Sequence, residues 1–305
     1  MLTCDAYLLP ATLDEAFDAL GEYRGGCRVV AGSTDILPWA REGRAGDVHV
    51  PALVDITRIP EMTARERRGD RLRIGAATPI QRFLDDPMLV EALPAMPRCA
   101  VWFADDQIRG SATIGGNLVN ASPAADGTPP LLAHDAVVEL AARRDRVIRR
   151  RRMPLSEFVI GPGRTALEDD ELLVAIECDA LPGWGGAFEK VGHRRSLVIA
   201  VVCLAVLIRP DGTGTRFAAA RVAIGGIGPV PERLRQVEAF LTGKEMSADV
   251  IAEAAQMPVD HVRSRSRVAY RREVVRGFMT RGLTDAVLDA GCAISGARLS
   301  VRELP

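Results

Sequence analysis

The stretch that decides the fold is Phe103 to Asp126, FADDQIRGSATIGGNLVNASPAAD, and within it Ala112 to Asn117, ATIGGN. Two adjacent glycines follow a hydroxyl residue and a β-branched one, Ile114, and an amide follows them. Gly115 and Gly116 have no Cβ, so backbone N–H groups there can approach an anion closely, and Thr113 and Asn117 add side-chain donors. The pattern predicts a loop that holds a diphosphate. A second loop of this kind lies upstream. Arg28 to Ala31 reads as a short strand, Gly32-Ser33-Thr34-Asp35 as a tight loop, and Ile36 to Arg41 as one or two helical turns. Strand, Gly-containing loop and helix is a recurrent way to present N–H groups to phosphate. Taken alone, this turn is weak evidence and reads first as an ordinary Asx or ST turn. A pair of such loops suits two linked phosphates, gripped from two sides without charged side chains.

Several other chemistries lack support. No G-x-G-x-x-G follows a strand and there is no Walker A sequence, so neither a Rossmann nor a P-loop site is expected. His49, His134, His193 and His261 show no metal-ligand spacing and read as surface or core residues. The six cysteines, Cys4, Cys27, Cys99, Cys178, Cys203 and Cys292, are far apart in sequence, which argues against a zinc or iron–sulfur site within the chain. Those in apolar runs such as VVCLAV read as buried thiols. A formal net charge of −1 gives no reason to expect nucleic acid as a partner. The N-terminus does not read as a signal peptide and no apolar run reaches the ~18 residues of a membrane span. A soluble, cytoplasmic protein of two or three domains is expected from 305 residues.

In chain order, Thr12 to Tyr23 reads as a helix with capping-box spacing between Thr12 and Glu15, its buried stripe being Ala16, Phe17 and Leu20. Ala52 to Ile56 and Arg71 to Ala76 read as strands, and Thr78-Pro79 as the start of a helix through Leu84. Leu89 to Phe103 contains Pro94 and Pro97 and predicts a broken helix. Ala136 to Ala141 and Val147 to Arg151 predict a hairpin. The basic run Arg143, Arg144, Arg146, Arg149, Arg150, Arg151 and Arg152 reads as a solvated turn between two strands, with a docking surface for a partner protein and a nucleic-acid or targeting patch as the other readings. Leu172 to Cys178 reads as a strand and Gly183 to Gly186 as a flexible joint. Beyond it, Ala187 to Val191, Ala200 to Ile208 and Ala218 to Ile224 read as an antiparallel sheet. Pro231 to Leu241, Ala248 to Met257, Val268 to Arg281 and Asp285 to Ala290 read as helices, with Gly243, Gly282 and Gly291 past three of their ends. Strands first and helices after make this an α+β domain.

These residues also carry a resemblance. VVAGSTDILP (Val29 to Pro38) together with QIRGSATIGGNLVNASPAAD (Gln107 to Asp126) resembles the FAD-binding (medium) subunit of the molybdenum hydroxylases, the family of xanthine dehydrogenase and carbon monoxide dehydrogenase. The likeness continues in ELLVAIE (Glu171 to Glu177), AFEKVGHRR (Ala187 to Arg195), Ala220 to Arg233 and AYRREVVRGFMTRGL (Ala269 to Leu283), and so spans nearly the whole chain. It implies an α+β fold of the vanillyl-alcohol-oxidase (PCMH) type. An FAD-binding domain, 1–182, would comprise two subdomains of about 1–57 and 58–182. A C-terminal α+β domain, 183–305, would hold a small antiparallel sheet and a helical bundle.

The resemblance further implies FAD as cofactor. It places the first diphosphate loop on Ala31, Gly32, Ser33, Thr34 and Asp35, flanked by Val30 and Ile36, and the second on Thr113, Ile114, Gly115, Gly116 and Asn117. Phe103 and Ala104 would line the cofactor, Asp126 would bond the adenosine ribose, and Leu172 and Lys190 would lie beside the isoalloxazine. Ser33 departs from the family's usual A-G-G. Family enzymes oxidise substrate on a large molybdenum–pterin subunit and relay electrons through a small 2Fe–2S subunit, so the resemblance implies both as partners, with NAD, a quinone or oxygen as external acceptor. It implies no catalytic side chain, because the flavin performs the chemistry. A stand-alone flavoprotein of the same fold and a flavin-free scaffolding subunit are the alternatives.

Overall fold

The structure is a computed structural model that describes residues 1–44, 48–194, 197–264 and 266–296. Arg195, the last residue of one stretch quoted above, and 297–305 of the C-terminal domain lie outside the described residues. The chain begins with a three-stranded parallel sheet, β1 (Thr3–Leu8), β2 (Cys27–Val30) and β3 (His49–Asp55), in the order β1-β3-β2. Parallel neighbours need crossovers, and the helices Leu13–Glu22 and Ile36–Arg41 lie in them. Thr12 caps the first helix as expected, its hydroxyl accepting from Glu15 N–H at 3.2 Å, while the Glu15 carboxylate reaches Ala11 N–H at 2.7 Å. That is one residue earlier than an ideal capping box.

A five-stranded antiparallel sheet follows. It contains β4 (Arg65–Arg68), β5 (Arg71–Gly75), β6 (Val137–Arg144) and β7 (Val147–Pro154). After a short hairpin of β8 (Val159–Gly161) and β9 (Arg164–Thr165) comes β10 (Glu171–Asp179), giving the order β4-β5-β10-β6-β7. The predicted hairpin is β6–β7, but most of the basic run lies along its strands rather than in its turn. Arg150 bonds Glu61 at 2.6 Å and Glu139 at 2.7 Å, Arg152 bonds Glu139 at 3.0 Å and Glu177 at 3.1 Å, and Arg151 bonds Glu171 at 2.6 Å. Burial pushes the Glu139 carboxyl up, but bonds from Arg150, Arg73 and Arg152 outweigh it and hold the group below its usual range. These three arginines therefore form a charge lattice with the neighbouring strands, not a solvated turn. Cross-strand pairing of opposite charges is the force that sequence position alone does not reveal.

Between β5 and β6 the chain folds into short helices. The break in Leu89 to Phe103 occurs as predicted, between Pro87–Ala92 and Met96–Trp102. Thr78-Pro79 does not open a helix. The helix there is only Arg82–Asp85, and Pro79 instead forms an antiparallel bridge with Thr113. His134 is a core residue with Nδ1 donating to the Asp179 carbonyl at 2.8 Å, and burial lowers its pKa to about 4.

The last part is a four-stranded antiparallel sheet of β11 (Gly185–Val191), β12 (Val202–Pro210), β13 (Phe217–Gly225) and β14 (Glu232–Arg233). Alternation along β12 assigns its two faces. Cys203, Ala205 and Leu207 join the main core of the preceding residues, whereas Leu204, Val206 and Ile208 pack with the helices Arg235–Leu241, Ala248–Gln256 and Val268–Asp289. Three expectations are corrected here. Glu232–Arg233 is strand rather than helix. Val268–Asp289 is one helix running through Gly282, which sits where a Cβ would press within 3.0 Å of Val206. Gly185 and Gly186 are not a flexible joint but the start of β11, where added Cβ atoms would meet Ala286 O at 1.9 Å and the Pro94 backbone at 2.5 Å. They permit close packing between layers.

Candidate cofactor site

Ligands collect at the carboxyl ends of parallel strands, where the connecting loops diverge. Ala31 and Gly32 leave the end of β2 and Thr57 leaves the end of β3, and all three line a cleft of about 460 Å³. Its other wall includes Ala77, Pro79, Ser111 and Thr113. Two segments distant in sequence thus line one cleft. They touch at Gly32, where a Cβ would lie 2.1 Å from the Ser111 carbonyl oxygen.

The loops contribute differently. In the first, Val30 ends β2 buried, Ile36 is buried, and Asp35 occupies the N-cap position of the helix Ile36–Arg41 without a side-chain cap bond. Ser33 has φ 55, the left-handed conformation that glycine adopts at low cost. The N–H groups of Gly32, Ser33 and Thr34 have no acceptor in the chain among the described residues, which leaves them available to an anion. In the second loop, Thr113 is the N-cap of the helix Ile114–Val119, and its hydroxyl accepts from Gly116 N–H at 3.1 Å. Gly115 N–H donates to Ala76 O at 2.8 Å and Ile114 N–H to Thr78 O at 3.0 Å. The backbone donors that the sequence offered to an anion are therefore already engaged within the chain. What this loop brings to the site is a hydroxyl, a close approach and, at exposed Gly116, an open surface.

Because Ser33 already adopts the backbone angle of a glycine, Ser33→Gly is expected to leave FAD affinity and melting temperature nearly unchanged. Relief of about 1 kcal/mol of strain is offset by a similar gain in unfolded-chain entropy. Ser33→Ile, β-branched at positive φ, is expected to weaken both. Flavin titration and thermal melts of the two variants check this pair of outcomes.

A second group of predicted residues clusters around Asp126. Asn117 Oδ1 accepts from Gly127 N–H at 3.1 Å, tying the second loop to the residue after Asp126. Lys190 Nζ lies 2.5 Å from Asp126 Oδ2 and donates to Trp102 O at 3.0 Å, with its side chain 1 % exposed. Burial raises the Asp126 pKa to about 6 although Lys190 acts to lower it. Asp126 Oδ1 is buried without a partner, as is the Thr78 hydroxyl, which lies between cleft residues Ala77 and Pro79. Phe103 is half-buried, Trp102 is exposed, and Ala104 has φ 46.

Sequence reasoning assigned Asp126 to the ribose and Lys190 to the ring, at opposite ends of an extended FAD. The structure brings the two side chains together as one ion pair, so Lys190 is not a lone cation. Leu172, expected beside the ring, is 2 % exposed in the main core. Thr57, Thr78, Ser111 and Trp102 were missed. Thr57 and Trp102 carry no local signal, whereas Ser111 lay inside the quoted stretch. The open N–H groups of the first loop, the orphaned buried oxygens and the absence of any carboxylate among the described residues that line the cleft suit an anionic, polar cofactor such as FAD.

Comparison with known proteins bears on the same residues. Residues 3–179 match the family described as the FAD binding domain in molybdopterin dehydrogenase, and 187–286 match the CO dehydrogenase flavoprotein C-terminal domain. The xanthine dehydrogenase FAD-binding subunit of Escherichia coli O157:H7 is 29 % identical over 297 residues, covering 96 % of this chain and 98 % of that one. The nicotinate dehydrogenase FAD-subunit of Eubacterium barkeri is 29 % identical over 304 residues, covering 94 % and 98 %. Among solved structures, carbon monoxide dehydrogenase from Hydrogenophaga pseudoflava matches with a TM-score of 0.85 at 26 % identity, covering 96 % of this chain and 100 % of the matched chain.

Proposed function

Because this chain belongs to the family of FAD-binding domains of molybdopterin dehydrogenases, we propose that it takes electrons from the 2Fe–2S clusters of a small partner subunit and passes them to an external acceptor, NAD, a quinone or oxygen. The oxidised substrate would be chosen on a large molybdenum–pterin subunit. The observation that carries the reading is the meeting of the two loops, Gly32 against Ser111, in one cleft lined by no carboxylate among the described residues. FAD bound there supplies a flavin ring able to exchange single electrons and electron pairs.

The chain's own part is to hold that group. Open N–H groups of Gly32, Ser33 and Thr34 and the hydroxyl of Thr113 would meet the diphosphate. Val30, Ala31, Asp35, Ile36, Ile114, Gly115, Gly116 and Asn117 shape and brace the two loops. Asp126, Lys190, Phe103 and Ala104 would line the rest of the cofactor, and Leu172 would support it from the core. No side chain is needed as acid or base. A division into 1–182 and 183–305 is part of this proposal, and family matches to 3–179 and 187–286 support it. Among the described residues no helix is long and apolar enough to cross a membrane. The six cysteines are unpaired thiols, which favours work in a reducing cytoplasm.

Rapid mixing tests the reading. In the complex with both partner chains, substrate should bleach the flavin absorbance, whereas the isolated chain should bind flavin but oxidise no substrate. Turnover by the isolated chain would instead identify a stand-alone flavoprotein, and a colourless chain in an active complex would identify a scaffold.

A further inference from the structure

The second loop's backbone donors are spent on Ala76, Thr78 and Thr113, so it offers an incoming diphosphate little positive charge. Among the described residues the cleft lining contains two cations, Arg65 and Arg82, and no carboxylate. Arg65 is committed, donating from Nε to Asp86 at 2.8 Å and from Nη1 to Thr63 O at 2.9 Å. Arg109, close by in the chain, is likewise bound to Asp106, Gln81 and Phe103 O. Arg82 differs. Among the described residues its guanidinium has no hydrogen bond and no ion pair, although its backbone is held by Pro79 O at 3.0 Å and its neighbour Phe83 is fully buried. A fixed Cα with an exposed, uncommitted guanidinium at the rim of a cleft is how a chain keeps a cation ready for an anionic ligand.

We propose that Arg82 is the side-chain cation of the diphosphate site and sets how tightly this chain retains FAD. This modifies the expectation, drawn from the loops alone, that the diphosphate is gripped without charged side chains. The inference rests on the FAD reading of the cleft and adds to it a residue outside both loops. Binding through Arg82 is ionic and partly exposed, so it weakens as salt rises.

The test uses the full chain stripped of flavin, titrated with FAD at low and high salt, with ADP as a competitor that shares the diphosphate. Arg82→Gln should weaken FAD by about tenfold, weaken ADP competition to a similar extent, and flatten the salt dependence. Arg82→Lys should fall between, since it keeps the charge without the fork. Melting curves equal to wild type establish that the fold is kept. Overturning results are a FAD affinity within twofold of wild type, an unchanged salt dependence, or ADP competition unaffected by the change. Failure of the wild-type chain to bind FAD at all would overturn the cofactor reading itself, and this inference with it.

Discussion

Gly116→Val is expected to lower FAD retention at least tenfold while leaving the melting temperature within a few degrees of wild type. Gly116 is exposed, and the nearest atom to an added Cβ is the Thr113 hydroxyl oxygen at 3.0 Å. Two methyl groups there would crowd the cap hydroxyl of Thr113, a residue that lines the cleft, and fill the open surface beside it, without entering the core. The adjacent residue should behave in the opposite way. At Gly115 a Cβ would lie 2.6 Å from both the Ala76 side chain and its carbonyl oxygen, which Gly115 N–H itself uses. Gly115→Ala is therefore expected to cost at least about 2 kcal/mol of stability, as forced overpacking does. Parallel thermal melts and flavin-content measurements separate the two jobs. Equal loss of stability in both variants would mean that the loop is a packing element only.

The second large effect is expected at Lys190. Lys190→Met keeps the length of the buried stem but strands Asp126, whose Oδ1 already lacks a partner. Breaking a buried pair by removing one side costs on the order of 3 kcal/mol. The pH dependence has a definite sign. Asp126 has a folded pKa raised above its unfolded value of 3.8, to about 6, so its protonated form favours folding. That contribution is fully present below the unfolded pKa and is lost as pH rises through the folded one. Without the lysine the folded pKa moves higher still, so stability continues to fall above the pH at which the wild type has levelled off. Lys190→Met should be clearly destabilised at pH 8 and much closer to wild type at pH 4. The double variant Lys190→Met, Asp126→Asn should lose this extra pH dependence. Denaturant titrations across that range decide the matter, and a pH-independent deficit would show that only packing was lost.

Local chemistry made much of this molecule legible in its sequence. Thr12 caps its helix, the prolines break Leu89 to Phe103, and the unbroken apolar run VCLAVLI marks β12, because each is decided by neighbours within a few residues. The first loop's place between a strand and a helix was legible too, but its use was not, since Gly and hydroxyl residues there also make ordinary turns. What was not legible depended on partners distant in sequence. Gly282 reads as a helix stop until Val206 and Leu204 are seen against it. Arg150 and Arg152 read as solvated until Glu139 is opposite them across β6. Lys190 and Asp126 received separate duties because nothing in the sequence announces that β11 lays one on the other. The engaged N–H groups of ATIGGN show the same limit, for their acceptors, Ala76 and Thr78, come from the segment after β5.

We place one FAD where Gly32 meets Ser111. The most direct measurement is the visible spectrum of the purified chain after reconstitution with FAD, followed by acid release and mass identification of the bound group. The account predicts a flavin band near ~450 nm and release of intact FAD, one molecule per chain. A colourless protein after reconstitution, or release of a group without the diphosphate, would contradict it.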